Sequence, residues 1–172
     1  MRISGHNIDL RLVEIDDAEF ILRLRLDERL NQHISATDAD LESQVEWLRR
    51  YKEREREGRE YYFIVEGKSG EPYGTVRLYD FQQDSFCWGS WIMLPGNPSK
   101  AFESAVLAYE CGFDKLGFAK SHFSVDKNNS RVVAFHKRFG AKIVREDETN
   151  YYFQSLKADF EAAKERYQRL WK

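Results

Sequence analysis

The pattern of apolar residues predicts an α/β fold. It has one mixed, mostly antiparallel central sheet flanked by helices, in the order β-α-α-β-β-β-α-β-α-β with a further helix at the C-terminus. Three observations carry this. Short segments such as Ile8 to Val13 alternate apolar and polar residues, the period of a half-buried strand. Longer ones such as Leu41 to Glu57 repeat apolar residues at helical spacing. Three strand-like segments between Tyr61 and Met93 follow one another across short loops, which makes an antiparallel meander. The 172 residues suit one domain, and no linker or internal repeat divides them. The expected unit is 1–172, with a core over 8–154 and a terminal helix over 157–171.

The first strand is Ile8 to Val13. Asp16 and Asp17 precede Ala18-Glu19-Phe20-Ile21-Leu22, where an acidic side chain can accept from the free N–H groups of a first helical turn, so a helix is expected to about Leu26. A loop, Asp27 to Thr37, carries His33 and Ile34. Ser35 to Asp40 holds cap-type residues and leads into a helix with the stripe Leu41, Val45, Leu48 and Tyr51. The mixed charges of Lys52 to Arg59 read as solvent-facing ion pairs, and Gly58 as the C-cap. Tyr61–Glu66 and Gly74–Tyr79, joined by the turn cluster G-K-S-G-E-P, form a hairpin, and Ser85–Met93 is the next strand. A loop with Pro95, Gly96 and Pro98 leads to a helix over Lys100–Leu116, closed by Gly117. Lys120–Val125 is a strand and Arg131–Phe139 a helix ending at Gly140. Ala141–Glu146 and Tyr151–Gln154 are the last strands. Phe160, Ala163, Tyr167 and Trp171 form a stripe on the terminal helix, which either packs on its own domain or serves a homodimer.

Composition narrows the function classes. A 15% aromatic content excludes wholesale disorder, and a net charge of −2 argues against nucleic-acid or membrane-surface partners. No run of apolar residues is long enough for a signal peptide or a membrane span, so a cytoplasmic location is expected. Cys87 and Cys111 form neither a CxxC pair nor a zinc cluster, so reduced, buried thiols and no metal are expected. GxGxxG, GxxxxGK[ST], HExxH and GxSxG are all missing, and the acidic pairs Asp16/Asp17 and Glu146/Asp147/Glu148 read as caps and turns. The junction after Met93 remains. A helix N-terminus with the small residues Ser99, Ala101 and Ser104, beside the positive Lys100, can hold a pyrophosphate through backbone N–H groups; an ordinary strand–helix loop is the alternative.

One segment, Asp126 to Arg145 (D-K-N-N-S-R-V-V-A-F-H-K-R-F-G-A-K-I-V-R), resembles the N-x-[RK]-A-x-x-[LF]-Y-x-[KR]-x-G-[FA] stretch of GCN5-related N-acetyltransferases (GNATs). Asn129, Arg131, Phe135, Lys137, Phe139 and Gly140 fall in register. The opening I-D-L-R-L-V-E-I-D-D-A-E is similar to the L-R-x-x-x-x-x-D-A start of the subgroup that acetylates ribosomal-protein N-termini, antibiotics and nucleotide-linked amino sugars. G-T-V-R-L-Y and F-C-W-G-S-W-I-M-L-P are similar to that subgroup's central strands, and the resemblance covers 8–154.

The resemblance implies the acyl-CoA N-acyltransferase fold and acetyl-CoA as co-substrate. It implies direct acetyl transfer to a primary amine of a small molecule, a nucleotide-linked amino sugar among them, or of a protein N-terminus. A non-catalytic acyl-CoA-binding or protein-interaction module on the same fold is the alternative. It places cofactor contacts at Ile92, Met93, Leu94, Ser99, Lys100, Ala101, Phe102, Asn129, Arg131 and Phe135. A backbone N–H between Trp91 and Met93 would polarise the carbonyl, with a bulge at Gly89. His136 stands four residues before Gly140, where the family often has a tyrosine as general acid toward the departing thiolate; an imidazole, titrating near about 6.5, suits that work. Asp80 and Asp84 are the candidate bases. His33, Tyr79 and Trp88 are expected on the acceptor side, with Phe81 and Trp91 as further aromatics. Pro98 to Glu103 departs from the family's [QR]-x-x-G-x-[GA] pyrophosphate loop, lacking its Arg/Gln and glycines.

Overall fold

In the computed structural model, which describes residues 1–170, the alternating segments become eight strands: β1 (Arg2–Ser4), β2 (Ile8–Leu12), β3 (Tyr61–Gly67), β4 (Pro72–Tyr79), β5 (Ser85–Met93), β6 (Lys120–Asp126), β7 (Lys142–Glu146) and β8 (Asn150–Leu156). The helices are α1 (Ala18–Leu26), α2 (Leu41–Arg56), α3 (Pro98–Glu110), α4 (Ser130–Arg138) and α5 (Lys157–Tyr167). The strands form one sheet in the order β1-β2-β3-β4-β5-β6-β8-β7, antiparallel throughout except where β5 meets β6.

Two apolar layers cover the sheet. On the front, α1 and α2 bury Ala18, Ile21, Leu48 and Tyr51 against Val13, Tyr62 and Ile64. On the back, α3, α4 and α5 close a larger core that runs from Phe63 and Phe86 to Tyr109, Phe139 and Phe160. The cap reading of α2 holds: Asp40 accepts from the backbone N–H groups of Glu42 and Ser43. Gly58 adopts φ +69° past the end of α2, the left-handed conformation that glycine takes at least cost.

Several expectations need correction. Strand β1 was not foreseen. Asp17 does not cap α1; Arg11 holds it in a two-pronged ion pair at 2.8 Å, and it accepts the Glu14 N–H instead. Leu41 is exposed and Gln44 takes its place on the buried side of α2. Helix α3 begins at Pro98, two residues early, because proline suits a first turn where no N–H partner is needed. Its expected last turns widen into a π-turn over Cys111–Lys115, where the Phe86 ring lies against Gly112 and leaves no room for a Cβ. On α5, Phe160 packs on Tyr109 and Phe113, and Tyr167 on Phe139. That stripe is therefore used within the domain; Trp171 lies outside the described residues. No helix among the described residues is long and apolar enough to cross a membrane.

Candidate active site

The site is built where the sheet fails to stay closed. β5 and β6 pair only at Ser85↔Lys120 and Phe86↔Ser121. From Cys87 onward they diverge, and one edge of β5 keeps its backbone groups without a strand partner. On its other edge β5 is bulged. Arg77 faces Gly89 and Thr75 faces Ile92, so Ser90 and Trp91 together oppose Val76. Ser90 carries the bulge at φ +46°, and its carbonyl accepts from Thr75 Oγ1 at 3.0 Å. The distortion expected at Gly89 thus falls one residue later.

The bulge decides where the tryptophans go. Simple alternation puts residues 88 and 91 on opposite faces. The extra residue brings both to the back, with ring centroids 5.5 Å apart. Trp88 is therefore not an acceptor wall; it is buried against Tyr109, Phe123 and His136. Trp91 donates from Nε1 to Ser104 Oγ at 3.0 Å and meets Phe135, which meets Phe102. These rings line the back of the split between β5 and β6.

His136 lies at the foot of this split. Its ring is 4.1 Å from that of Phe123, among Trp88, Phe135 and Phe153, and its Nδ1 has no hydrogen-bond partner. Burial among apolar rings disfavours the charged form and pushes its pKa down to about 3. A neutral imidazole, able to offer an N–H but not a charge, is what the site holds at neutral pH.

At the top of the split, α3 presents its N-terminus. Asn97 makes no side-chain cap there, and Pro98 has no N–H, which leaves the first-turn N–H groups of Ser99 and Lys100 for a ligand. Lys100 Nζ rests 4.0 Å above the Tyr73 ring. Glu103, at the last position of the departing loop, does not face the anion site. It is buried and accepts from the backbone N–H groups of His6 and Asn7 and from Asn7 Nδ2 at 3.0 Å. Ile92 is buried, and Leu94 N–H donates to Tyr73 O at 2.8 Å. Asn129 caps α4 through the Val132 N–H, and Arg131 is exposed. The expected cofactor residues thus gather along β5, the start of α3 and the start of α4. The unpaired β5 edge, the open α3 N-terminus, the aromatic lining and the orphaned His136 nitrogen fit a long thioester with a phosphorylated end.

On the front, a cavity of about 220 Å³ opens between the α1–α2 segment, α2 and the sheet. Its lining includes Arg25, Asp38, Gln44, Trp47, Tyr62, Arg77 and Ser90, with hydroxyls from Ser35, Thr37 and Ser43. The sequence reading missed this pocket. Arg25 holds one wall by donating to Thr37 Oγ1 at 2.7 Å and to Ser35 Oγ at 2.9 Å. Arg77 donates to Glu60 at 2.6 Å and lies between the Trp47 and Tyr79 rings. Tyr79 is therefore on the front face, as a floor beneath Arg77. His33 is exposed and 3.7 Å from Asp126, near the end of β6. Phe81 packs on Tyr61 and Phe118.

Of the two candidate bases, Asp84 is paired with Lys120 at 2.8 Å. Asp80, at φ +50°, contacts His122 Nε2 at 2.8 Å, and His122 Nδ1 is 2.5 Å from Ser85 Oγ. Nothing in the local sequence around His122 marks it, since its partners come from the preceding strand and loop. Cys87 and Cys111 are free and buried, with burial pushing their thiols up to about 11 and about 12. Among the described residues no group of three or more His, Cys, Asp or Glu side chains could hold a metal ion.

Comparison with known proteins agrees with this geometry. The family model described as acetyltransferase (GNAT) domain matches residues 7–142. The structure of apo FdhC, a nucleotide-linked sugar GNAT, is 45% identical, with a TM-score of 0.90 over 100% of this chain and 99% of that one. A GCN5-related N-acetyltransferase from Brucella melitensis is 18% identical, with a TM-score of 0.79 over 98% of this chain and 84% of that one. A variant of the spermidine N-acetyltransferase SpeG from Vibrio cholerae is 17% identical, with a TM-score of 0.73 over 91% and 97%. At these identities the last two share the fold. No curated protein matches the chain.

Proposed function

We propose that this chain, which belongs to the GNAT family and is an acetyl-CoA-dependent N-acetyltransferase acting on an amine, takes a nucleotide-linked amino sugar as its acceptor. The observation that carries this is the charge of the front cavity. Two guanidinium groups, Arg25 and Arg77, line it against one carboxylate, Asp38; Arg77 is paired with the buried Glu60, so the positive charge left for a ligand is that of Arg25. A polyamine, positive at several points, would meet like charge there, whereas an acceptor with a phosphorylated end gains from it. The ring of hydroxyls and the Gln44 amide suit a polyhydroxylated body. The 45% identical relative is a nucleotide-linked sugar GNAT, which supports the same reading.

Bound acetyl-CoA supplies the activated acetyl group. The residues of this chain do the rest. Backbone N–H groups of β5 beyond the bulge orient and polarise the carbonyl. Ser99 and Lys100 hold the pyrophosphate end. The neutral His136 ring offers an N–H toward the departing sulfur. Asp80, in contact with His122 Nε2, is the carboxylate we assign to receive the acceptor's proton. Two free, buried thiols fit a reducing compartment, which supports the cytoplasm.

The test is competitive turnover. With acetyl-CoA held constant, thiol release is measured for a nucleotide-linked amino sugar, spermidine and an N-terminal peptide. The nucleotide-linked amino sugar is expected to show the highest kcat/KM. Preference for spermidine or the peptide would sink the reading.

A further inference from the structure

Tyr62 sits on β3 with its ring locked in place. The ring is edge-on to Trp47 and to Tyr51, 5.9 Å from each, and its backbone N–H donates to the Tyr51 hydroxyl at 2.7 Å. The residue is 2% exposed, and it lines the front cavity together with Ser90, the bulge residue of β5. Its hydroxyl makes no hydrogen bond of regular geometry, with the Thr75 and Arg25 side chains as its near polar neighbours. A buried hydroxyl without a partner is costly and uncommon, and it calls for an explanation such as a ligand.

An amine that attacks a thioester is neutral, and its lone pair points at the carbonyl. Its N–H bonds point away and need acceptors. Arg25 and Arg77 cannot serve, since a guanidinium only donates. Asp38, Ser35, Thr37 and Ser43 of the same wall are exposed or half-buried residues of the α1–α2 segment and the first turn of α2. Tyr62 and Gln44 are the buried polar side chains of the lining; Tyr62, whose oxygen is fully buried without a regular hydrogen bond, shares the cavity with Ser90 of the bulge, with β4 between them.

We propose that the Tyr62 hydroxyl is the contact for the amine end of the acceptor. It accepts one N–H and so fixes the direction of the lone pair, which makes Tyr62 a specificity-determining residue of the front cavity. The choice of acceptor for the test rests on the nucleotide-linked amino-sugar reading; the contact itself does not.

The experiment compares the wild-type chain with Tyr62→Phe, which keeps the ring and removes only the oxygen. The acceptor kcat/KM is expected to fall about fivefold to tenfold, the loss of one buried hydrogen bond. The acetyl-CoA Kd by calorimetry is expected to stay the same. The melting temperature without acceptor is expected to hold or rise, because an unpaired buried oxygen has gone. A purely structural tyrosine would lower the melting temperature. An unchanged kcat/KM overturns the proposal. So does a fall matched by a lower melting temperature and weaker acetyl-CoA binding. If the wild type prefers another amine, the amino-sugar reading fails on that measurement alone, and the Tyr62→Phe ratio is taken with that amine.

Discussion

Replacing His136 with phenylalanine separates a buried neutral histidine from a titrating one. The ring is 5% exposed, Nδ1 has no partner, and burial holds the pKa at about 3 in the fold. In the unfolded chain the same imidazole titrates near about 6.5. The folded value lies below the unfolded one, so protons bind the unfolded state first. Stability is therefore flat above about pH 6.5 and falls as pH drops from there toward about 3. Between about pH 7.5 and about pH 5, uptake of this proton favours unfolding by a factor of about 30, or ~2 kcal/mol.

The variant His136→Phe removes that dependence and the unpaired nitrogen together. At about pH 7.5 it is expected to be as stable as the wild type or up to ~1 kcal/mol more stable. At about pH 5 its advantage is expected to widen by a further ~2 kcal/mol. Urea unfolding reads both values, with the Trp88 ring, 5.3 Å from His136, as a fluorescent reporter. Carboxylates elsewhere titrate equally in the two proteins and cancel in the comparison. If the two stability curves stay parallel within ~0.5 kcal/mol from about pH 7.5 to about pH 5, His136 is not held neutral by burial and the reasoning fails.

The same variant should lower kcat more than it changes the acetyl-CoA Kd; equal kcat in the two proteins would remove His136 from the departing sulfur. Glu103→Gln puts an NH2 where Asn7 donates and removes the charge that holds the β1–β2 turn. A loss of ~2 kcal/mol is expected, or a melting temperature lower by about 4–8 °C; a shift under about 1 °C would show that the carboxylate is not the staple of that turn. Lys100→Ala is expected to weaken acetyl-CoA binding by roughly threefold at low salt and by less at high salt, because the charge is partly exposed. A salt-independent loss would place Lys100 outside the phosphate site.

How much of the molecule was legible beforehand depended on range. Most strand and helix periods, the Asp40 cap and the left-handed Gly58 and Gly140 report contacts within a few residues, and the cap and both glycines stand where the linear pattern puts them. The resemblance of 126–145 placed α4, and His136 with it, through residues that are near neighbours on one helix. Trp88 was misplaced because one inserted residue at Ser90 reverses the alternation after it, and no residue type in S-F-C-W-G-S-W-I-M announces which position bulges.

Sequence alone determined the succession of strands and helices from β2 onward and the family-like segment, since these follow from local periodicity, capping and spacing. Only the tertiary structure decided the face of each tryptophan, the staple from Glu103 to a turn 96 residues away, the Asp80–His122–Ser85 chain and the cavity beneath Arg25 and Tyr62. The reason is physical. Each of these needs groups from separate strands and loops at hydrogen-bond distance, and their proximity is set by sheet register and by where β5 and β6 part, quantities that arise when the whole chain closes on its core.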